Sequence, residues 1–382
     1  MAQKLYNDTA VQDIADAIRE KNGEPATTKY KIAEMGDAIR AIPSGGEKIE
    51  VKDASYMFYN GARLENKDDF KFTTSYVKSM FQNCNTAPEE DILSILENTD
   101  NTFINVTDTS YMFYYCKNLK DININFSSNP NSLKNLNNMF SGCSNLENVS
   151  FGNLFTAPKA ENVSFMFNDC PKIQNFDFSI FTPSAPNNTK LFNLQRMFQN
   201  CTNLKSVIIP EDVSFFTNAK TTFNTSYMFS GCSNLERFVY KKDFPLKDSS
   251  AFMFQNCTNL EYVEIANPWQ NGSETQNCSW NNMFDGCSNL KTIKIATGNR
   301  TQILYRKFTS SNIFRNCTSL ETVIIDLGAT NVFKLSNAEA LTGVPTTCKF
   351  YVTDSAVNTY KTSTNWSSRA SQIYPLSEYV EP

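Results

Sequence analysis

One short motif recurs along most of this chain of 382 residues. Nine copies begin with a Met-Phe pair and a tenth with Ile-Phe, and in nine of the ten a cysteine stands four residues after the first position. Leu or Ile stands seven residues after it in nine copies, and apolar residues tend to follow at offsets ten and twelve. The copies start at Met57, Met80, Met112, Met139, Met166, Met197, Met228, Met253, Met283 and Ile313. A unit of this size leaves an apolar face that only a neighbouring unit can cover, so the motif predicts a stacked repeat array.

The spacing of the apolar residues changes within each copy. The Met, Cys and Leu share one face of a short helix, whereas the alternation at offsets ten and twelve predicts a half-buried strand. Ser or Asn precedes the Met by two residues in seven copies, where it would cap the helix by accepting backbone hydrogen bonds. Asn precedes the Leu in six copies and predicts a left-handed residue at which each helix ends.

The Phe and Cys of the motif are expected to fill the interior. Phe follows the first position in all ten copies and predicts a stacked aromatic spine. Of the eleven cysteines, only Cys278 and Cys348 lie outside the register. The favoured interpretation of the nine others is that they are small apolar side chains filling the interior, because nine stacked equivalents cannot all pair in disulfides. Disulfides or a metal site are the alternative.

Composition excludes several classes of function. The chain has no histidine, which rules out a histidine-based catalytic triad and a histidine-ligated metal. Lys and Arg number 35 against 39 Asp and Glu, so no broad basic surface supports nucleic-acid binding. No apolar run is long enough for membrane insertion, and the first residues lack the pattern of a signal peptide. We therefore expect a chain made in a cytoplasm, without a cofactor, a metal, a nucleic-acid partner or an enzymatic activity.

An acidic cluster lies between the second and third copies. Glu89, Glu90 and Asp91 open an apolar run from Ile92 to Leu96. Because acidic side chains are favourable at the positive end of a helix, the pattern predicts an inserted helix rather than a catalytic cluster.

The repeat resembles that of a known family. The unit Met197-Phe198-Gln199-Asn200-Cys201-Thr202-Asn203-Leu204, followed by Val207 and Ile209, is similar to the leucine-rich repeat of BspA-like bacterial surface proteins. The resemblance covers about residues 50–345, and the mean interval of about 28 residues fits it. It implies an α/β leucine-rich repeat solenoid of about ten repeats at residues 46–345. Residues 346–382 resemble the family's C-terminal cap, with a last strand, a short helix and an aromatic plug over the core.

Residues 1–45 form a different segment. Two apolar stripes at helical spacing, separated by Gly23 and Pro25, predict a pair of short amphipathic helices. This pair is too small for a core of its own, so its apolar faces need the first repeat, another copy of the chain or a different protein. The residues proposed for anchoring are Val11, Ile14, Ile18, Ile32, Met35, Ile39 and Ile42.

A second, shorter resemblance concerns this segment. Residues 14–21 and 29–42 are similar to the N-terminal segment of phage and prophage virion proteins, in which a variable ectodomain follows. The resemblance implies a tail or head fibre that is attached to virion structural proteins through residues 1–45 and located in the virion. A fibre that acts through many weak contacts is expected to be a homo-oligomer, with a trimer among the expected forms.

The exposed side of the strands is the candidate binding surface. Offsets nine and eleven lie between the buried positions, and the early copies carry amides, hydroxyls and carboxylates there. This early end suits hydroxyl-rich glycans, whereas the end from Tyr262 to Ile324 resembles a protein-binding patch. The candidate residues are Asp121, Asn123, Asn148, Ser150, Asn175, Asp177, Arg237, Tyr262, Glu264 and Lys294.

Three functions are compatible with these patterns. The favoured one is a phage fibre that recognises a host cell-surface glycan or protein through many weak contacts. The second is a bacterial surface adhesin of the BspA-like type. The third is a glycan-cleaving tail enzyme using Asp177 and Glu264, which is disfavoured because three strand spacings, ~15 Å, exceed the separation of glycosidase carboxyl groups.

Overall fold

The structure is a computed structural model that describes residues 48–60, 67–124, 133–151, 160–181, 193–209, 224–241, 249–266, 277–296, 307–327 and 332–381. The chain divides into two compact units, Met1–Ala157 and Pro158–Pro382. The helical pair predicted at residues 1–45, with its seven anchoring residues, lies outside the described residues.

The first unit contains five short strands among its described residues, and all of their pairings are parallel. The first three form one sheet in chain order, and the last two pair with each other. Their bounds are β1 (Ile49–Val51), β2 (Phe70–Thr74), β3 (Thr102–Phe103), β4 (Asp121–Ile124) and β5 (Asn148–Phe151).

Helix α1 (Glu89–Glu97) lies between β2 and β3 in the chain, and it confirms the inserted helix predicted from the acidic cluster. It buries Ile92, Ile95 and Leu96, three of the four apolar residues of the predicted run. The Glu89 carboxylate accepts hydrogen bonds from the backbone N–H groups of Lys120 at 2.8 Å and Asp121 at 2.7 Å. The acid at the start of α1 therefore binds the beginning of β4.

The second unit contains ten strands in its described part, again paired in parallel. Six of them form one sheet in the order β8-β9-β11-β13-β14-β15, while β6 pairs with β7 and β10 with β12. Their bounds are β6 (Asn175–Asp177), β7 (Ser206–Ile208), β8 (Arg237–Tyr240), β9 (Tyr262–Ala266), β10 (Asn277–Ser279), β11 (Thr292–Ala296), β12 (Lys307–Thr309), β13 (Thr322–Asp326), β14 (Lys349–Val352) and β15 (Ile373–Pro375). The predicted strand at offsets ten and twelve is confirmed in the third to tenth copies, whereas in the first two copies these offsets lie in the 3-10 helix Lys67–Asp69 and in α1.

The short helix predicted around each Met-Phe pair is wrong, because the segment is a run of turns. In all ten copies the residues just before the Met and three after it have positive φ, as Arg196 (55°) and Asn200 (60°) do. A left-handed residue interrupts helical hydrogen bonding. The N–H of Gln199 bonds locally to the Arg196 carbonyl at 3.2 Å, whereas the Phe198 N–H bonds to the Met228 carbonyl of the next repeat at 2.9 Å. Bonding between repeats therefore replaces the helix.

The predicted caps are also wrong, since there is no helix at these positions for them to cap. In six copies the N–H two residues before the Met instead donates to an Asp or Asn side chain two residues earlier, as from Ser110 to Asp108 Oδ1 at 2.8 Å. The six Asn residues before the Leu do not have positive φ. Several of them form an amide ladder along the array, in which Asn259 donates to Asn234 at 3.2 Å and Asn289 donates to Asn259 at 3.3 Å.

The predicted aromatic spine is confirmed within each unit. In the first unit the rings from Phe58 to Phe140 stack with centroids 5.3 to 5.5 Å apart. In the second unit the rings from Phe167 to Phe314 stack at 5.5 to 6.1 Å, with interplanar angles of 9° or less. Apart from Phe58 at 7 %, these rings are completely buried, and they form the centre of the core.

The repeat cysteines are buried thiols, as predicted, and they also act as hydrogen-bond donors. Each of the nine has no exposed surface, and the ten cysteines whose side chains are described form no disulfide. Eight of the nine thiols donate to the carbonyl of the repeat Phe in the preceding copy at 2.9 to 3.1 Å, as Cys232 does to Phe198. The thiol therefore links neighbouring repeats in addition to filling the corner.

These thiols are expected to resist alkylation in the folded chain. Burial raises the pKa of Cys143 to about 12 and that of Cys232 well above its usual value, so the reactive thiolate is scarce at about pH 8. Mass spectrometry after iodoacetamide treatment should find the repeat cysteines unmodified in the native chain and modified in urea. Native labelling of Cys232 at the rate of the unfolded chain would contradict the burial.

Residues after 346 continue the six-stranded sheet of the second unit with β14 and β15. Helix α2 (Val357–Thr362) and the 3-10 helix Ser367–Gln372 lie between β14 and β15. Trp366 is completely buried, with its ring centroid 5.1 Å from that of Phe350, and its indole N–H donates to the Phe333 carbonyl at 2.6 Å. Trp366 therefore connects β14 with the segment around Phe333 in the interior of the second unit.

Candidate functional site

The alternation of each strand separates a core face from an outer face, defined here by offsets nine and eleven. In β4, Ile122 and Ile124 are buried while Asp121 and Asn123 are exposed. The inward residues are fixed by packing, whereas the outward residues have no structural task in the core. The ten candidate residues all lie on this outer face, four of them in the first unit and six in the second.

The outer face of the first unit is a paired polar ladder. Asp121 lies opposite Asn148, and Asn123 lies opposite Ser150. The Asn148 amide donates to Asp121 Oδ1 at 2.5 Å, and the Ser150 hydroxyl donates to Asn123 Oδ1 at 3.0 Å. These side chains satisfy part of one another's hydrogen-bonding capacity, so a ligand here would have to compete with existing hydrogen bonds.

Asn175 and Asp177 lie on β6, at the start of the second unit's outer face. The Ser206 hydroxyl donates to Asn175 Oδ1 at 2.7 Å, and the Ser179 N–H donates to Asp177 Oδ1 at 2.8 Å. Next to Ser206 on β7, the side chain of Ile208 is 57 % exposed. This part of the face therefore combines a polar pair with an exposed aliphatic residue.

Four of the candidate residues come together further along the second unit, and we call them the strand-face cluster: Arg237, Tyr262, Glu264 and Lys294. The Arg237 guanidinium lies over the Tyr262 ring, 3.9 Å from its centroid, and the Lys294 ammonium lies 5.8 Å from that centroid. The Tyr262 hydroxyl donates to Glu264 Oε2 at 2.8 Å. Two cations thus flank one ring, an arrangement favourable for cation–π attraction.

The electrostatics of the cluster follow from partial burial and close charges. Burial raises the pKa of Tyr262, and its hydrogen bond to Glu264 raises the pKa further. Desolvation lowers the pKa of Lys294, but the Glu381 carboxylate and Tyr262 outweigh it, so that the net shift is upward. Both Tyr262 and Lys294 therefore keep their protons at neutral pH, and Lys294 is a fixed positive charge.

A tail at residues 376–381 also belongs to this face, and the sequence analysis missed it. The Tyr379 ring packs edge-on against Tyr351 of β14 at 5.2 Å, and the Lys294 ammonium lies 5.7 Å from the Tyr379 ring centroid. The Glu381 carboxylate forms an ion pair with Lys294 of β11. No sequence signal pointed to this contact, because a short polar tail has no periodicity that indicates where it lies.

The tail also explains one correction on β13. Ile324 was expected on the exposed face, but its side chain is only 6 % exposed. Strand β13 lies between β11 and β14 in the sheet, and the tail contacts both of these neighbours. The tail therefore crosses the outer face of β13, where Ile324 lies in register between Lys294 of β11 and Tyr351 of β14.

The described residues present no group of three or more His, Cys, Asp or Glu side chains that could hold a metal ion. The pair considered for glycan cleavage lies on two strands that do not pair with each other, Asp177 on β6 and Glu264 on β9.

Of the helices in the described part of the chain, none has the length and apolar character needed to span a membrane.

Comparison with known proteins identifies the repeat. A model of the family described as "BspA type Leucine rich repeat region" matches residues 107–224 and 195–338 in six copies, which together span more than half of the chain. No curated protein matches the chain.

Three solved structures are similar at low identity. A leucine-rich repeat protein from Bacteroides ovatus is 15% identical, with 80% of this chain and 76% of that chain covered and a TM-score of 0.39. The T. pallidum leucine-rich repeat protein is 15% identical, with 56% and 72% covered and a TM-score of 0.26. A leucine-rich cell surface protein from Faecalibacterium prausnitzii is 16% identical, with 64% and 76% covered and a TM-score of 0.26.

Proposed function

The chain belongs to the BspA-type leucine-rich repeat family, and from this premise we propose that it is a non-enzymatic binding protein that recognises a cell surface through the outer face of its strands. The observation that carries the proposal is the strand-face cluster. Arg237 and Tyr262 are in contact on the side of the sheet that the core does not use. Aromatic and Arg side chains are enriched where proteins bind other molecules.

The finer assignment is a virion fibre. In this proposal the ten copies of the motif are ten repeats, and residues 1–45 attach the chain to virion structural proteins. The similarity of those residues to phage virion proteins supports it, and oligomerisation would multiply weak contacts. The alternative is a bacterial surface adhesin, which membership in the BspA-type family favours.

Binding to whole cells tests the shared part of the proposal. We expect the double variant Arg237→Ala/Tyr262→Ala to bind the recognised bacterium at least about tenfold more weakly than the unaltered chain, because hot-spot side chains contribute about 2 kcal/mol or more. Flow cytometry with fluorescently labelled protein measures the effect. Lys134→Ala, on an exposed residue of the first unit away from its strands, is the control. Equal binding by the double variant would contradict the proposal.

The location of the chain separates the two finer assignments. Mass spectrometry of purified phage particles should detect the chain if it is a fibre, and deletion of residues 1–45 should remove it from particles while the repeats still fold. Detection in the bacterial envelope of cells that release no particles would favour the adhesin instead.

A further inference from the structure

The geometry of the tail points to the kind of partner that the outer face of the second unit binds. We propose that the face formed by Lys294, Tyr262 and Arg237 binds an extended acidic polypeptide segment that carries an aromatic residue, and that the chain's own tail competes for Lys294. The inference rests on the proposed function, because it names a partner class for the same face.

The tail demonstrates how an extended segment fits this face. Tyr379 has extended backbone geometry, with φ −74° and ψ 125°. The side chains of Tyr379 and Glu381 contact the face, whereas Val380 between them is 82 % exposed. Alternate side chains of a short extended segment therefore meet the outer face, as expected for a period of two.

The contacts of the tail are specific for an acid and a ring. The Lys294 side chain is only 17 % exposed, although it carries a charge, and Glu381 is its acidic partner. The Lys294 ammonium also lies between two rings, Tyr262 at 5.8 Å and Tyr379 at 5.7 Å. A partly desolvated lysine between aromatic rings favours a carboxylate whose segment also supplies a ring.

Two further cations, Arg237 and Lys241, belong to the same part of the outer face. Arg237 is exposed on β8, with its guanidinium over Tyr262, and within the described residues no carboxylate forms an ion pair with it. Lys241 follows β8 and contributes to the low pKa of Glu381, after the larger effect of Lys294. Arg237, Lys241 and Lys294 outnumber the one carboxylate of the strand-face cluster, Glu264, which accepts the Tyr262 hydroxyl. On a chain with a net charge of −4, this local excess of cations complements an acidic segment.

A polypeptide fits these observations better than an acidic glycan. A glycan with carboxylates could pair with Lys294 and Arg237, but it has no aromatic ring to occupy the position of Tyr379 between Lys294 and Tyr351. Tyr379 and Glu381 are two residues apart on one side of an extended backbone, and this spacing is a property of a polypeptide. Tyr351 contacts the first side chain, and Lys294 forms an ion pair with the second.

Peptide binding to the full chain tests the inference. The probe is a fluorescein-labelled synthetic peptide with the sequence of residues 377–382, Ser-Glu-Tyr-Val-Glu-Pro. In the double variant Tyr379→Ala/Glu381→Gln the chain's own tail no longer occupies Lys294. Fluorescence anisotropy should then show peptide binding at least about tenfold tighter than to the unaltered chain, because an intramolecular competitor has been removed.

Further substitutions in this double variant define the site. Lys294→Met should weaken peptide binding at least about tenfold, since a charge-assisted bond to a partly buried lysine is lost. Lys291→Met is the matched control, because Lys291 is exposed and already paired with Glu261 at 3.0 Å. A peptide with both Glu residues changed to Gln and Tyr changed to Ala should not bind.

Two results would overturn the inference: no peptide binding to the double variant, or Lys294-dependent binding of polygalacturonate without binding of the peptide. Circular dichroism confirms that each variant is folded. The cell-binding experiment uses different variants and a different readout, so the outer face could be shown to bind cells even if this partner class is wrong.

Discussion

Replacing Phe198 with alanine should lower the free energy of unfolding of the second unit by about 3 to 5 kcal/mol. Phe198 is completely buried, and its ring stacks between Phe167 and Phe229 at 5.6 Å on each side. The substitution leaves a cavity in a column whose neighbours are held by their own repeats and cannot collapse into it. Urea denaturation followed by circular dichroism measures the change.

The matched control is Phe165→Ala in the same unit. Phe165 precedes its Met, and its ring is only half-buried, with the Arg196 guanidinium 5.5 Å from the ring centroid. We expect a loss of about 1 kcal/mol or less from this control. If both substitutions cost the same, the spine would not be the main element of the core.

Replacing Trp366 with alanine should have an effect of similar size, about 3 to 5 kcal/mol, because it leaves a large cavity beside β14 in the second unit. The indole packs against Phe350 and against Tyr360 at 5.5 Å, and the Tyr360 hydroxyl accepts the Phe333 N–H at 2.8 Å. Thermal unfolding should show a lower midpoint and loss of the near-UV signal of this residue.

Trp366→Phe separates packing from hydrogen bonding. It keeps a ring but leaves the buried Phe333 carbonyl without its indole donor, at a cost of about 1 to 3 kcal/mol. Tyr379→Ala is the control on the outer face and should cost less than about 1 kcal/mol. A Trp366→Ala variant as stable as the Tyr379→Ala variant would contradict this packing role.

The sequence was sufficient to predict the repeat unit, its strand and its aromatic spine, because these follow from apolar spacing alone. Offsets ten and twelve place Ile293 and Ile295 in the core, and both are fully buried in β11. The same spacing placed Asp121 and Asn123 on the opposite face, where they are exposed. Period-two alternation is a local property, so one strand is enough to reveal it.

The turns were mispredicted because their conformation depends on neighbouring repeats. Helical spacing of Met, Cys and Leu is equally compatible with consecutive turns that point the same side chains inward. What decides between them is the bond from the Phe198 N–H to the Met228 carbonyl, between residues 30 positions apart. Single-sequence reasoning does not detect such a bond.

The candidate site could be predicted only in part for the same reason. The outward position of Tyr262 and Lys294 followed from the motif, but the contacts of Tyr262 with Arg237 and with Lys294 depend on the parallel register of β8, β9 and β11. The tail residues Tyr379 and Glu381 could not be found, since their contacts join segments that share no pattern.

The direction of the hydrogen bonds has a consequence for how such a protein can change during evolution. Turn N–H groups donate forward to the next repeat, and cysteine thiols donate backward to the preceding one. Duplicating or deleting one complete repeat leaves every donor opposite an equivalent acceptor, whereas a partial insertion within the turns would not. The array can therefore gain or lose length in whole modules, while the outward side chains diversify without affecting the bonds that hold the modules together.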